Sequence, residues 1–588
     1  MTQGALRGPL IYASLACVTL LCVVPFLLPW HRYPLTSFYP EWLACVLGVG
    51  VMAVLLDRRI WSSAEVRAEV PWIALSPFAL AALLVVHGAL GWSPYFGQAL
   101  TGALYLIWAG VLVIAARALV RACGTETVLA VAATGLVAGA LLSATIGVIQ
   151  YFNWITPLNA FITRLHSAAI FGNLGQPNHF AAYTTLGLVS LAYLYSRDRM
   201  PTAVAALCAL PLLFVLGVSG SRSVWLYLLT AFGLAAWLRA SSAERAAQRL
   251  FWVTGLFLIL HYLMQAVLEA GWFKPPERTT VTAIERLFSG ADSIAVRLGL
   301  WRAAWSIALE HPVLGIGWGA FAGRYFDFST EPGVTAPLGL YNNAHNILLQ
   351  LFAETGLIGV VLLLVPLAIW ARQALRAERS AAQWWMLATA GVLAIHSLLE
   401  YPLWYAHFLG IPALLLGIAA TRGFVPQLAR LGRLFAAMVM LVGAVNLAFL
   451  WADYREFEAL FRPTPAQLRN TDVPATMKRL RQNLLLTPYV ELSIVVPLEV
   501  VEENLAQRLA LNGHVIRFTP QPVLVYRQVL LLALAQRLGE AQALLARARR
   551  AYPAVPAEFD RDLARLAALH PERFRPLLES AVPVPGQK

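Results

Sequence analysis

Charge is scarce in this chain. Asp, Glu, Lys and Arg make up 13% of its 588 residues, against 59% hydrophobic ones, and the mean hydropathy is +0.65. Soluble domains carry roughly twice that share of charge, so a soluble class is excluded. Cysteine is scarce too. Cys17, Cys22, Cys45, Cys123 and Cys208 lie in or beside apolar runs, without metal-type spacing. That excludes a disulfide framework and argues against a thiolate metal site. Strict alternation of apolar and polar residues is missing, which excludes a transmembrane β-barrel. Paired aspartates of the metal-holding kind are missing as well: Asp57, Asp198, Asp292 and Asp327 are isolated.

What is present is a succession of apolar runs of about 20 residues, the length a helix needs to cross the hydrocarbon core. Lipid cannot satisfy free backbone groups, so such runs must be helical. The expected architecture is an all-α polytopic membrane protein. By that length there are about thirteen spans, near 10–30, 39–56, 71–90, 98–118, 127–152, 178–196, 202–219, 223–239, 250–270, 346–370, 383–400, 403–421 and 433–451. The first run, Leu10 to Trp30, is long for a signal sequence and lacks an Ala-x-Ala exit, so it reads as a retained span.

The net charge of +13 comes mostly from arginines between spans. Topology and anionic lipid explain them without invoking nucleic acid. One set of connections carries Arg7, Arg58, Arg59, Arg67, Arg117, Arg121, Arg197, Arg199, Arg239, Arg245, Arg249, Arg372, Arg376, Arg379, Arg422, Arg430 and Arg433; the short loops of the other set carry only Arg32, Arg164 and Arg222. The first set is then cytoplasmic, with the N-terminus inside and, for an odd number of spans, the C-terminal region outside.

Four regions follow: N-terminal membrane helices (1–270), a large exterior loop (271–345), C-terminal membrane helices (346–451) and a soluble helical tail (452–588). The loop has Leu298, Trp301, Trp305 and Leu309 at helical spacing and then HPVLGIGWGAF. That predicts an amphipathic helix at the membrane surface followed by a structured loop. In the tail, LGEAQALLARARRAYP sets Ala541, Leu545, Ala548 and Pro553 at the spacing of the second helix of a tetratricopeptide repeat, although the first-helix signature is absent. One or two helical hairpins are expected there.

Five polar clusters stand out. His345 sits among Asn342, Asn343 and Asn346 at the mouth of a span. Capping alone would account for one asparagine; an imidazole ringed by amides suits a general base. Glu354, two turns on, needs a partner inside an apolar helix, and a structural salt bridge is the expectation. Arg222, in SGSRS (219–223), occupies a minimal exterior turn where arginine is disfavoured. It either reaches to lipid phosphate or clamps a pyrophosphate. In FGNLGQPNHFAAY (171–183), a turn and a cap explain Pro177 or Asn178 but leave Gln176 and His179 over. In HSLLEYPLWYAHF (396–408), Glu400, Tyr401, Tyr405 and His407 gather at a hairpin, where an interfacial aromatic belt accounts best for Trp404. Arg297 and Arg302 lie on neighbouring faces of the surface helix, where lipid phosphate is the plain alternative. All five clusters fall on the exterior side.

These motifs carry a resemblance. NNAHNILLQLFAETGLIG resembles the signature of the bacterial O-antigen ligase and polymerase superfamily. GNLGQPNHFAAY, SGSRSVWLYLL and HSLLEYPLWYAHFLG look more narrowly like the pilin-type O-oligosaccharyltransferases, and the resemblance covers most of residues 1–450. It implies transfer of a glycan en bloc from an undecaprenyl-pyrophosphate donor at the periplasmic face of the inner membrane. The acceptor would be a Ser or Thr of a pilin-like protein or, in the ligases, the lipid A-core. The family's essential histidine falls on His345, its glutamine on Gln176, its pyrophosphate arginine on Arg222, and its tyrosine on Tyr405 or Tyr401. No cofactor and no metal are expected. A polymerase acting on repeat units is the rival within enzymes. A lipid-linked glycan transporter is the rival outside them, disfavoured by sparse mid-span charge and the lack of an internal repeat.

Overall fold

The computed structural model describes residues 8–62, 68–165, 169–273, 291–427, 429–463 and 471–579. Arg7 and Arg67 lie outside those residues. The described chain is mainly helical, the only strands among the described residues being the two-residue pair Val70–Pro71 and Gly423–Phe424. Among the described residues ten helices are long and apolar enough to cross a membrane: Pro9–Leu27, Phe38–Leu56, Trp72–Ala89, Phe96–Cys123, Thr125–Phe152, Ser223–Ser241, Arg245–Glu269, Ile347–Arg376, Ala381–Leu399 and Arg430–Ala459. The other three expected segments are helices as well. Thr202–Val218 and Ala406–Ile418 are shorter, with Pro211 and Pro412 inside them. Pro177–Ser196 is long enough but more polar. Its polarity has a structural cause, since every residue from His179 to Leu194 is buried against protein, and Thr184, Thr185 and Ser190 have no need to suit lipid.

The chain forms two compact units. One comprises Met1–Leu80, Leu104–Ala291 and Leu362–Ala452; the other comprises Ala81–Ala103, Asp292–Val361 and Asp453–Lys588.

In the first unit the 177–196 helix is the hub, packed by the 125–152, 202–218, 223–241, 245–269 and 381–399 helices. Buried polar tips cross between helices. Tyr183 Oη donates to the Cys22 carbonyl (2.6 Å), Trp384 Nε1 to that of Ala231 (3.0 Å) and Trp385 Nε1 to Ser190 Oγ (3.0 Å). Each large aromatic thus buries its ring while its polar atom is answered, which fixes the helices in register.

In the second unit the Ala291–Glu310 helix packs through Leu300, Ala303, Ala304, Ile307 and Ala308 against Phe321, Tyr325, Ala344 and Ala353. This is not the stripe expected from the sequence: Leu298, Trp305 and Leu309 are exposed and Trp301 is half-buried. The helix is apolar on two faces, and the one richer in alanine lets its neighbours approach closest.

The 347–376 helix is broken. Gly356 adopts φ 64° and ψ −166°, a conformation essentially confined to glycine. The break costs the ladder bonds that Leu357 and Ile358 would donate to the Ala353 and Glu354 carbonyls. The HPVLGIG stretch replaces them. Leu357 N donates to Pro312 O (2.8 Å) and Ile358 N to Val313 O (3.2 Å), while Ile316 N donates to Ala353 O (2.9 Å) and Gly317 N to Glu354 O (3.0 Å). Gly315 is required for this approach, because a Cβ there would lie 2.3 Å from the Glu354 carbonyl carbon.

The tail is a run of helices from Val473–Leu480 to Pro571–Glu579. Ala541, Leu545 and Ala548 are buried in its core, on the Leu538–Ala551 helix that forms a hairpin with Pro522–Leu534. Arg547 lies over the Phe326 ring and bonds Asp327 and Thr330 Oγ1, and Arg550 donates to the Thr330 carbonyl (2.7 Å). The tail thereby holds the Phe321–Ser329 helix.

A second tie reaches the 90–96 turn. Tyr95 Oη (2.7 Å) and Arg481 Nε (2.7 Å) donate to Glu491, His514 Nδ1 lies 3.4 Å from the same carboxylate, and His514 Nε2 faces the Pro94 carbonyl at 2.9 Å. Both ring nitrogens face acceptors, so the imidazolium is favoured. The hydrogen bond to Glu491 raises the His514 pKa above its ordinary 6.5. Burial pushes the Glu491 pKa up, but hydrogen bonds from His514, Tyr95 and Arg481 outweigh it and bring it down to about 2 from an ordinary 4.5. The His514 contribution is complete below pH 6.5 and is lost as pH rises through the elevated value. That of Glu491 is complete above pH 4.5 and is lost as pH falls towards 2. The tie is therefore strongest between pH 4.5 and 6.5. The thermal midpoint of tail unfolding is expected to fall from pH 6 to pH 8.5, and His514→Gln should flatten that slope, checked by protease resistance of the tail across the pH series.

Candidate active site

In the first unit, three of the segments singled out by sequence meet at one place. Gln150 pins the loop that enters the 177–196 helix. Its Oε1 accepts from Gly172 N (2.9 Å) and its Nε2 donates to Gly172 O (2.6 Å). Pro177 then takes the first helical position, where no amide hydrogen is needed. The cap is Gln176 rather than Asn178: Gln176 Oε1 accepts from His179 N at 2.9 Å. Gln176 is left with its amide nitrogen pointing onward, and this donates to Glu400 Oε2 (3.1 Å).

Asn178 is thus free of capping and turns inward. Its Nδ2 donates to Glu400 Oε1 (2.7 Å), and its Oδ1 accepts from Ser221 Oγ (2.9 Å). Glu400, at the C-terminal end of the 381–399 helix, is only 2% exposed. One carboxylate, two amides and a serine therefore lock the 171–183, 219–223 and 396–408 segments together. Arg222, next to Ser221, is half-buried at the start of the 223–241 helix.

Beneath this group lies an aromatic and imidazole cluster. The His179 ring is flanked by Tyr401 (5.9 Å between centroids), Tyr405 (5.4 Å) and Phe408 (5.2 Å). Burial, with Glu400 adjacent, raises the Tyr401 pKa, and a hydrogen bond with Tyr405 opposes the rise. His179 Nδ1 lies 2.8 Å from His396 Nε2, and His396 Nδ1 lies 3.1 Å from Tyr227 Oη. His407 turns to Phe26, ring centroids 5.0 Å apart. Sequence reasoning passed over His396 and Tyr227. The available signal was an imidazole one helical turn before Glu400 inside an apolar segment, where a titratable group calls for a functional explanation.

In the second unit, His345 occupies the left-handed region at φ 52°, uncommon for a residue with a Cβ and enriched at functional sites when the surroundings enforce it. The surroundings do enforce it. Asn343 Oδ1 accepts from His345 N (2.8 Å), Gln350 Oε1 from Ala344 N (2.8 Å), and Asn346 Oδ1 from Leu348 N (3.0 Å) and Leu349 N (3.2 Å). The oxygens of Asn343 and Asn346 thus build the turn and cap the helix, while Asn342 is exposed.

Glu354 corrects an expectation. Among the described residues it makes no ion pair; its Oε1 accepts from Phe321 N (3.2 Å). It caps the 321–329 helix, a job that backbone donors fill as well as a cation would. Arg297 is half-buried and Arg302 exposed, both on the 291–310 helix. Among the described residues no three His, Cys, Asp or Glu side chains gather around one point within reach of an ion.

Three family models match in succession along the chain. One described as protein glycosylation ligase covers residues 170–195, one described as O-antigen ligase covers 204–364, and one described as virulence factor membrane-bound polymerase, C-terminal, covers 384–567. Every residue singled out above for chemistry falls inside one of them. A general O-oligosaccharyltransferase of Acinetobacter baylyi is 24% identical over 555 residues, 89% of this chain and 92% of that protein. A ComP-specific O-oligosaccharyltransferase of the same organism is 21% identical over 250 residues, 42% of this chain and 44% of that protein. Matched on both sides of the Gln176–Asn178–Ser221–Glu400 junction and through the His345 turn, this multi-pass helical membrane protein is similar to the O-antigen ligases and the O-oligosaccharyltransferases along most of its length.

Proposed function

We propose that the protein is an O-oligosaccharyltransferase of the inner membrane that moves a glycan en bloc from undecaprenyl pyrophosphate to a Ser or Thr hydroxyl of a periplasmic, pilin-like protein. The observation that carries this reading is the junction in which half-buried Gln176 and Asn178 meet buried Ser221 and Glu400. Amides and a carboxylate suit sugar hydroxyls, and the neighbouring guanidinium of Arg222 suits a diphosphate. The match along 92% of a general O-oligosaccharyltransferase supports the same reaction class. The charge asymmetry of the loops favours a cytoplasmic N-terminus and a periplasmic tail.

In the proposed reaction His345 accepts the proton of the acceptor hydroxyl as its oxygen attacks the anomeric carbon. The bond from that carbon to the pyrophosphate oxygen breaks, and the lipid pyrophosphate departs with both electrons. It is a good leaving group, so no general acid is required. Arg222, with Arg297 or Arg302, balances the charge that grows on the bridging oxygen. Tyr405, Tyr401, Asn178, His179 and Glu400 shape the donor pocket, Asn343 and Asn346 hold the His345 turn, and the exposed Asn342 is offered to a sugar hydroxyl.

Arg222→Ala is expected to weaken donor binding by about 10- to 100-fold, the worth of a charge-assisted hydrogen bond, with Arg222→Lys recovering part of it. Equilibrium binding of lipid-linked glycan to the detergent-solubilised protein measures this, and unchanged affinity removes Arg222 from the donor. Transfer is expected to persist in a chelator such as EDTA.

The description of the 204–364 match as O-antigen ligase favours a second reading, with lipid A-core as acceptor. Reconstituted protein supplied with lipid-linked glycan and either a pilin-like protein or lipid A-core separates the two. Intact-mass gain on the protein is the expected result, and gain on the lipid alone assigns a ligase.

A further inference from the structure

We infer that Tyr227 and His396 are positioning residues for His179. Together they fix which nitrogen of its ring carries the hydrogen, so that His179 offers an N–H to the oxygens of a lipid-linked glycan diphosphate. The inference rests on His179 lining the donor pocket, as proposed above. It stands on a row of three buried groups. His179 Nδ1 lies 2.8 Å from His396 Nε2, and His396 Nδ1 lies 3.1 Å from Tyr227 Oη. His179 is 3% exposed and the other two are wholly buried, so water does not compete for these contacts.

The row draws on the same three helices that meet in the junction above it. His179 is in the first turn of the 177–196 helix, just after Asn178. Tyr227 is on the 223–241 helix, which starts at the Ser221–Arg222 turn. His396 is one turn before Glu400 on the 381–399 helix, and its carbonyl accepts from Glu400 N (2.8 Å). Packing alone asks for less than this. Tyr183, Trp384 and Trp385 bury their rings in the same unit, and each polar tip finds one oxygen.

Two facing imidazole nitrogens are a stricter demand, because one hydrogen and only one fits between them. Two would set N–H against N–H, and none would set lone pair against lone pair. Tyr227 decides whose hydrogen it is. A phenol is a stronger acid than the N–H of an imidazole, so Tyr227 O–H donates and His396 Nδ1 accepts. His396 then carries its hydrogen on Nε2 and donates it to His179 Nδ1. His179 in turn carries its own on Nε2. Tyr401 and Tyr405, which flank the same ring, belong to the pocket. In the opposite order Nε2 would present a lone pair, and a diphosphate oxygen would be repelled rather than held.

Full-length protein carrying isotope-labelled histidine in lipid nanodiscs gives the first measurement, by nitrogen NMR. The His179 signals are those missing from His179→Ala. Nε2 is expected at the shift of a protonated nitrogen and Nδ1 at that of an unprotonated one; the reverse pattern overturns the inference, whether or not any other variant folds. Equilibrium binding of undecaprenyl-pyrophosphate-linked glycan is the second. Tyr227→Phe keeps the ring but removes the O–H that gives the row its direction, and affinity is expected to fall about tenfold, on the scale of one hydrogen bond to a charged group. His396→Gln keeps an amide N–H for His179 and an oxygen for Tyr227, and should stay within about threefold of the parent, whereas His396→Met has neither and should lose about tenfold. Parental affinity in both Tyr227→Phe and His396→Met, or His396→Gln no better than His396→Met, overturns the inference. His179→Ala separates the two levels. If it binds the glycan lipid as the parent does, the pocket reading of His179 has failed and the inference with it. If it loses binding while Tyr227→Phe and His396→Met do not, only the row of three fails.

Discussion

Replacing His345 with alanine is expected to lower glycan transfer about 1000-fold while donor affinity stays within about threefold. Loss of a general base removes about 4 kcal/mol of transition-state stabilisation and little ground-state binding. Alanine changes two things at once, because position 345 sits at φ 52° and a non-glycine residue there is strained. His345→Asn separates them. Asparagine adopts the left-handed region more readily than most residues but cannot accept the hydroxyl proton. Both variants should be equally inactive under single-turnover conditions with donor prebound. An active His345→Asn would mean that the turn, rather than the imidazole, is what the reaction uses.

Replacing Glu400 with alanine is expected to be the most damaging change in the first unit. It strips the acceptor from the half-buried Gln176 Nε2 and Asn178 Nδ2 and empties a position where Glu400 itself is only 2% exposed. Hydrogen bonds to a charged group contribute about 1.5–3 kcal/mol each, and buried donors left without acceptors cost a comparable amount. A destabilisation of about 3 kcal/mol or more follows, with transfer reduced about 100-fold as the three segments loosen. Glu400→Gln keeps one acceptor but turns an amide nitrogen towards an amide donor, so it should fall between the two. Thermal unfolding in detergent, paired with the transfer assay, ranks the series. Parental stability in Glu400→Ala would show that the junction holds nothing together.

The helices were legible because apolar run length is a local property that lipid enforces. All thirteen expected segments are helical, and the one least apolar by composition, 177–196, is the most completely surrounded by protein. The side-chain clusters were legible as places but only partly as partners. Gln176, Asn178, Ser221 and Glu400 stand in the quoted motifs, yet nothing in their order says that Gln176 caps the helix and Asn178 does not. Glu354 was expected to need a cation because sequence identifies cations and leaves backbone donors unmarked; the Phe321 amide answers it. The buried face of the 291–310 helix was missed for a related reason. Tryptophan and leucine dominate a hydrophobicity count, whereas close packing selects Ala303, Ala304 and Ala308.

The broken helix has a consequence for how the chain is made. Residues 312–317 leave the ribosome before residues 353–358, whose amides and carbonyls they receive. The patch exists before the gap. An apolar segment carrying four stranded backbone groups would be a poor passenger in hydrocarbon, but here the rescuing stretch already waits on the far side of the 321–345 segment when the gap emerges. Membrane insertion of this part of the protein is thereby coupled to the docking of a loop, and a deletion within HPVLGIG should be felt first in biogenesis and only afterwards in catalysis.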